Sequence, residues 1–430
     1  MDMSNWFGLQ RGRFVGEPPA YVDKSNPPGM TDVPRPTILS WARTSPFVLI
    51  TSPNFVWVWI SLLVYRFAPY DLGPNSVASL APIHPAFLSE RLPLWFSLTF
   101  GYFAFWHVSL YGFQLAQRPF IEAKKRVYNW NKVVHNAFWT TSGIVLWALF
   151  ENVFCYLWAT DRLPYIDDFT SFHTANGIFR FLITLMGIPV WRSVHFYFAH
   201  RLLHYGPLYK QVHSLHHRNT DIEPFSGLCM HPVEHLYYFA CVAPSLVFYC
   251  SPYAFVWNGV HLLLSPAASH SGYEDHFQSD LFHYLHHRYF ECNYAGSDAA
   301  CLDILFGTYK GSFAEHPLDK HGPEPRADAK STLFTLPTSE FVSYLFLSIA
   351  CFAIPIGGPI ARAILAGFGP VGSAIVISKL FGSSRGVQPV KMTFLGNIAH
   401  ITTGTLFCCV PISYLCWLLL VGKNEGMGTF

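Results

Sequence analysis

The chain has 430 residues, of which 51% are hydrophobic, 17% aromatic and 13% charged. This charged fraction is about half that of ordinary soluble domains, so the composition favours a chain embedded in a lipid bilayer over two or three soluble domains. The net charge of +2 comes without a block of interleaved basic and aromatic residues, which argues against a nucleic-acid-binding function.

The N-terminal part of the chain predicts a polar arm followed by four membrane spans. Residues 1–45 are polar and proline-rich, without the apolar core of a cleavable signal peptide, and we expect them to form a cytosolic arm. A transmembrane helix needs about 20 mostly apolar residues. Within residues 46–199, four stretches satisfy this length: Pro46–Phe67, Leu94–Ala116, Asn136–Trp158 and Asn176–Phe198.

The distribution of charge between the spans predicts their orientation. Basic residues are concentrated in the arm and in the loop after the second span, whereas the loop after the third span is acidic. The positive-inside rule therefore places the arm and the second loop in the cytosol. Four crossings then bring the chain back to the cytosol near His200, where a series of histidines begins.

Two further units follow. Residues 200–330 form a predicted catalytic region; within it, Leu236–Leu264 has no charged residue but is interrupted by Pro244 and Pro252, so we expect a re-entrant hairpin of two shorter helices. Residues 331–430 form a C-terminal extension with room for two or three more membrane segments. The predicted fold class is all-α: a polytopic membrane helical bundle with a cytosolic, histidine-rich metal-binding cap.

Fifteen of the 21 histidines lie between His195 and His316, and several recur three or four residues apart. Residues i, i+3 and i+4 of a helix lie on one face, so such boxes predict imidazoles that can share a metal site. One HxxxH and two HxxHH boxes supply eight imidazoles, which are His200, His204, His213, His216, His217, His283, His286 and His287. Eight are more than one ion can use, so two ions are implied; imidazole binds iron, copper, zinc and nickel alike, and the spacing does not name the metal.

Two more motifs lie between the second and third boxes. HSGYE begins at His270, which we predict to be a ninth metal ligand. In HPVEH, we predict His231, Glu234 and His235 to be extra ligands or residues that orient the ligands, with capping of the hairpin as the alternative. The carboxylates near enough in sequence to orient a bound imidazole are Asp221, Glu223, Glu234, Glu274, Asp275 and Asp280.

The other histidines that we considered are expected to pack against neighbouring residues rather than to bind metal ions. His195 lies five residues before the first box and is expected to face another side of its helix. Four isolated histidines are expected to be core or interfacial residues: His84, His107, His135 and His173.

These motifs resemble those of the fatty acid hydroxylase superfamily, which includes sterol desaturases, methyl-sterol oxidases and sphingolipid hydroxylases. The resemblance covers residues 124–313 and rests on HRLLH, HSLHH, HPVEH, HSGYE and HYLHHRYFECNYAG. It implies an endoplasmic-reticulum protein with a di-iron site held by the eight box histidines and His270. It also implies O₂ as oxidant, with electrons from NAD(P)H through cytochrome b5 and its reductase. Many relatives end soon after the third box, whereas this chain continues with further apolar segments.

Together with this resemblance, the sequence predicts an O₂-dependent di-iron membrane oxidoreductase that hydroxylates or desaturates a lipid, and it identifies no catalytic residue other than the metal ligands. The HSGY element with a late HxxHH box favours a sterol or related isoprenoid substrate; a fatty acid or sphingolipid hydroxylase is the alternative. A histidine-rich metal transporter is an alternative of another class, although its ligands should lie at mid-bilayer. A zinc hydrolase would need a carboxylate base such as that of HExxH, which is absent from the sequence.

Overall fold

The computed structural model of the chain describes residues 54–115, 130–166, 173–247, 251–273, 281–290, 292–296, 300–309 and 394–421. Within these ranges every regular element is helical, which confirms the predicted fold class of a helical membrane protein. The α-helices are α1 (Asn54–Phe67), α2 (Val77–Leu80), α3 (Pro85–His107), α4 (Trp130–Ala159), α5 (Ala175–Leu203), α6 (Gly206–Gln211), α7 (Pro232–Phe239), α8 (Pro244–Val247), α9 (Pro252–Ser269), α10 (Leu281–Tyr289), α11 (Ala300–Leu305) and α12 (Phe394–Val421). The predicted arm and most of the C-terminal extension lie outside the described residues.

Among the residues that the structure describes, three helices are long and apolar enough to cross a membrane: α4, α5 and the Ala399–Leu420 part of α12. The first two coincide with the third and fourth predicted spans, and the last coincides with the final apolar segment of the sequence. Helix α1 is apolar but shorter, because the structure describes the first predicted span only from Asn54 onwards.

Helix α3 begins at Pro85 rather than at Leu94, where the second span was predicted to start. The predicted span began later in the sequence, after the charged residue Arg91. In the structure Arg91 is buried, and its Nη2 donates to Glu151 Oε1 of α4 at 2.6 Å. A π-helical turn at Val108–Gly112 then continues α3 beyond His107.

The buried Glu151 carboxylate joins three parts of the bundle. Besides Arg91, it accepts hydrogen bonds from the Tyr70 hydroxyl and from Trp95 Nε1, both at 2.7 Å. Arg91 Nη1 donates to the carbonyl of Ala68 at the end of α1. The carboxylate therefore fixes α3 and α4 to the chain that leaves α1, and its negative charge is neutralised by the guanidinium.

Helix α9 lies in the interior of the bundle, and most of its side chains are buried. Its close approach to α4 requires Gly259, because a Cβ at this position would lie 2.1 Å from a ring atom of Trp147. The apolar segment before it is broken at Pro244 and Pro252, which begin α8 and α9. Whether this segment is re-entrant in the membrane stays a prediction. His270 follows α9 directly and so is carried by a helix held on all sides.

We expect Glu151→Leu to lower the free energy of unfolding by about 3–5 kcal/mol, because the buried Arg91 guanidinium would lose its counter-charge. Denaturant unfolding in detergent measures this. Ser142→Ala on the same helix is the matched control, because that hydroxyl bonds only to a carbonyl of its own helix. A Glu151→Leu protein as stable as the control would contradict the role given to this ion pair.

Candidate metal centre

All nine histidines predicted as metal ligands lie in two groups. The first group contains His200, His204, His213, His217 and His286, and the second contains His216, His270, His283 and His287. Within each group the candidate nitrogen atoms all lie within 4.8 Å of one another. The side chains are buried in the protein interior, so each group forms a compact, water-poor cluster of imidazoles.

The two groups divide the HxxHH boxes between them. His213 and His217 belong to the first group, but His216 belongs to the second. The third box is divided in the opposite sense, with His286 in the first group. The expectation that the three imidazoles of a box act together on one face is therefore corrected: the i, i+4 pair stays together and the i+3 residue turns to the other group.

The three boxes lie on different kinds of local structure. The second box is not α-helical but forms a 3₁₀ helix at His213–Arg218. The third box lies on α10, and the first box ends α5, with His204 as its C-terminal capping residue. Helix ends and a short 3₁₀ helix thus bring residues from four separate segments to one place.

In the first group, several imidazole rings are oriented by hydrogen-bond acceptors that lie opposite Nδ1. His200 Nδ1 donates to the carbonyl of Tyr294 at 2.7 Å, and His286 Nδ1 donates to the carbonyl of Cys292 at 2.6 Å. His213 Nδ1 lies 2.7 Å from Glu234 Oε1. Because a carbonyl can only accept, His200 and His286 carry the proton on Nδ1, and the lone pair on Nε2 points into the group.

The second group is oriented in the same way. His287 Nδ1 donates to the carbonyl of Asn219 at 3.1 Å, and His216 Nδ1 lies 3.4 Å from the carbonyl of Cys229. His270 Nδ1 lies 2.9 Å from Ser226 Oγ. That hydroxyl already donates to the carbonyl of Glu223, so it accepts from His270. The Nε2 lone pair of each neutral ring again faces its neighbours.

This arrangement of lone pairs fits bound cations. In the first group the Nε2 atoms of His213, His204, His217 and His286 follow one another at 3.1–3.2 Å. Two nitrogens at about 2.1 Å from one ion and at right angles lie about 3 Å apart, so these separations are those expected of imidazoles that share a cation.

Burial keeps these imidazoles neutral, which is the form that binds metal ions. Loss of hydration, reinforced by neighbouring imidazoles, lowers the pKa of His283 to about 3 and the pKa of His286 well below its ordinary value. In the second group, His287 Nε2 is buried without a hydrogen-bond partner. Such an orphaned acceptor is costly unless a ligand completes the site. The donor set is all imidazole, which suits iron as well as zinc, copper and nickel.

Three residues of the HPVEH motif were predicted as extra ligands or orienting residues, and they differ in position. Glu234 contacts His213 and so orients a member of the first group. His231 caps the start of α7, where its Nδ1 accepts from the N–H of Val233. His235 stacks on Phe239 and belongs to neither group.

The remaining described residues that were considered from the sequence lie outside the two groups. His195 packs against Phe407 of α12, as expected for another side of its helix. Asp221 lies 3.9 Å from Lys132, and Glu223 caps the 3₁₀ helix at Pro224–Leu228. Glu274, Asp275 and Asp280 lie outside the described residues.

Comparison with known proteins agrees with this geometry. Residues 185–308 match the family model named fatty acid hydroxylase, and this stretch contains all nine histidines. This stretch of the chain is therefore similar to the fatty acid hydroxylase family.

Relatives of the domain include sterol-modifying enzymes. Methylsterol monooxygenase 1 of Gallus gallus is 31% identical over 137 residues, which cover 30% of this chain and 46% of the relative. A Delta(7)-sterol 5(6)-desaturase of Gibberella zeae is 27% identical, with coverages of 29% and 41%, and that of Saccharomyces cerevisiae is 25% identical, with coverages of 61% and 71%. The chain spans about half the length of the first relatives or less. No solved structure matches it.

One residue that supports the candidate metal centre was not found from the sequence. Asp303 on α11 accepts from the backbone N–H groups of Tyr294 and Ala295, both at 2.9 Å, and from the Thr308 hydroxyl at 2.6 Å. Burial nevertheless raises its pKa to about 6. Asp303 fixes the backbone whose carbonyl orients His200. The NYAG motif pointed to this loop, but no sequence spacing linked it to Asp303.

We expect Glu234→Ala to weaken metal binding at the first group by about 10–100-fold, because His213 would lose the acceptor that sets its tautomer. Metal content after dialysis against a graded chelator measures this. His231→Asn is the control, because Asn also caps a helix start and leaves Glu234 in place. Equal metal loss in both variants would assign the effect to α7 as a whole rather than to the hydrogen bond.

We expect Asp303→Asn to loosen the loop at residues 292–296, because an amide NH₂ would replace one acceptor oxygen and face a backbone N–H. The cost of such a buried unpaired group corresponds to amide exchange about tenfold faster or more. Hydrogen–deuterium exchange of this peptide provides the measurement. Thr308→Val, which removes only the hydroxyl contact, should show a smaller change; unchanged exchange in Asp303→Asn would exclude the supporting role.

Proposed function

We propose that this chain is an O₂-dependent, di-iron membrane oxidoreductase that hydroxylates or desaturates a lipid. The observation that supports this most directly is the convergence of nine buried imidazoles into two adjacent groups within a fatty acid hydroxylase domain. Two groups with separate donors favour two ions over one. The proximity of the groups to each other, through neighbouring residues such as His216 and His217, favours ions that work together.

The chemistry of the substrate requires such a site. An unactivated C–H bond of a lipid is not cleaved by acid–base groups, and protein side chains supply no oxidant of sufficient strength. Iron bound at the two groups would supply the activation of O₂ that this reaction needs. Loss of one hydrogen followed by oxygen transfer gives an alcohol, and loss of two hydrogens gives an alkene.

The protein's own residues would bind the two irons, orient the imidazoles and exclude bulk water from the site. The five histidines of the first group would hold one iron, and the four of the second group would hold the other. Each ion would keep coordination positions for other ligands. The carbonyls of Tyr294, Cys292 and Asn219, together with Glu234, keep the protons on Nδ1 and the Nε2 lone pairs directed at the ions. Burial of the imidazoles excludes bulk water from the reacting centre and so suppresses side reactions.

A sterol or related isoprenoid is the substrate that we favour. The support is that two of the enzymes to which the domain is similar are named for sterol oxidation and sterol desaturation. Fatty acid or sphingolipid hydroxylation is the alternative within the same superfamily. We further propose an endoplasmic-reticulum location, a site facing the cytosol and electrons from NAD(P)H through cytochrome b5, in line with the basic N-terminal loops and with the position of His200 at the end of α5.

A metal transporter is less well supported by the same residues. A transport path needs sites near mid-bilayer that release their ion. Here His200 and His204 are at the end of a span, His270 follows the end of α9, and the other ligands lie on short helices. Nine converging donors also favour retention of ions over their release.

Two measurements test the proposal. Purified full-length protein is expected to contain close to two iron ions per chain. Lipid profiling of cells with and without the chain should reveal one lipid whose mass changes by +16 for hydroxylation or −2 for desaturation. A stoichiometry of one or none would overturn the di-iron assignment, and an unchanged lipid profile with O₂ and reductant present would overturn the lipid oxidase.

We expect His286→Ala or His216→Ala to abolish product formation, because each removes one donor from a different group. Asn152→Ala is a control for membrane insertion, because Asn152 accepts from the backbone N–H of His84 and neither residue belongs to either group. Retained turnover in a histidine variant that still inserts would remove that residue from the site.

A further inference from the structure

Helix α12 lies outside the matched domain, yet it packs along the helix that carries the first histidine box. Gly404 permits this approach, because a Cβ at this position would lie 2.8 Å from both Leu202 Cβ and the carbonyl oxygen of Phe198. Phe407 extends the contact to Trp191, with ring centroids 4.9 Å apart. A small residue at a helix crossing is typical of tight packing between membrane helices.

At the metal-centre end of α12, His400 is buried and bonded to α5. Arg201 Nη1 donates to His400 Nε2 at 3.1 Å and also to the Tyr197 hydroxyl. A guanidinium has no acceptor, so His400 Nε2 accepts this bond. The His400 ring also packs against Phe306, with centroids 4.5 Å apart. His400 therefore contacts both the first-box helix and the segment after α11.

Arg201 connects this contact to the first group. Its guanidinium carbon lies 5.4 Å from the ring centroid of Tyr294, within the range of a cation–π interaction. The carbonyl of Tyr294 is the acceptor for His200 Nδ1, and its N–H is held by Asp303. Tyr294 is thus fixed at its N–H, its ring and its carbonyl, and the ring contact depends on where the guanidinium is held.

We propose that α12 belongs to the metal centre, with His400 as a positioning residue for His200. It acts through the guanidinium of Arg201 and the backbone of Tyr294. This inference rests on the proposed function, since it takes the first group to bind a metal ion. Without an acceptor at position 400, a buried guanidinium N–H loses its partner, the guanidinium turns away from Tyr294, and the carbonyl that orients His200 is no longer held in place.

The experiment uses full-length protein in detergent and Co²⁺ as a redox-inert probe. Visible d–d absorption of bound Co²⁺ reports the geometry of its ligands, and a titration gives the affinity of each group. His400→Phe fills the same space between aromatic rings but cannot accept a hydrogen bond. We expect it to weaken Co²⁺ binding at the first group by about tenfold and to change the absorption of that ion, with the second group unaffected.

Two variants serve as controls. His400→Gln offers an amide oxygen to Arg201 and should restore the wild-type titration and spectrum. Thr403→Ala, on the same helix, removes a hydroxyl that bonds only to the carbonyl of Ala399 and should also behave as wild type. If His400→Phe does not fold, Gly404→Ala replaces it, because the added methyl group pushes α12 away from α5.

The outcomes separate the two proposals. A His400→Phe or Gly404→Ala protein with the wild-type affinity and spectrum overturns the role of α12 and leaves the proposed function intact. Wild-type protein that fails to bind two Co²⁺ ions overturns the proposed function itself. A selective loss at the first group, reversed by His400→Gln, supports His400 as the positioning residue.

Discussion

The site depends on the direction in which the imidazole Nδ1–H groups point. Each oriented ring donates outward to a fixed acceptor, and this leaves its Nε2 lone pair directed inward, at its neighbours. Bringing so many lone pairs together inside a protein is unfavourable by itself, because burial removes them from bulk solvent. The fold must therefore hold the rings in place by other means, and the bundle around them is organised to do so.

The side chains that hold the imidazole rings in place come from distant parts of the chain. Asn136 on α4 exchanges side-chain hydrogen bonds with Asn219, whose carbonyl orients His287. Asp303 holds the loop that presents the acceptor of His200. The buried polar side chains in this region therefore have a structural role, because their hydrogen bonds fix the backbone whose carbonyls orient the imidazoles. This explains why a largely apolar bundle retains so many polar residues near one end.

The sequence predicted the parts of this arrangement that side-chain spacing determines. All nine histidines of the two groups and the fold class followed from it, because i, i+4 spacing and long apolar runs are local properties. It could not predict that the i+3 residue of each HxxHH box turns to the other group, because this depends on how the 3₁₀ helix at His213–Arg218 and helix α10 pack against the other segments that carry ligands. Carbonyl acceptors have no residue type of their own, and Arg91 could not be matched with Glu151, 60 positions away. The contact of α12 with α5 is equally non-local.

The division of each HxxHH box between two groups has a mechanical consequence. His216 and His217 are adjacent in the chain but turn to different groups, so a single peptide unit joins the two groups directly. His286 and His287 join them in the same way on α10. A displacement of the 3₁₀ helix or of α10 therefore moves donors of both groups at once, whereas a change at Glu234, which orients His213, acts on the first group.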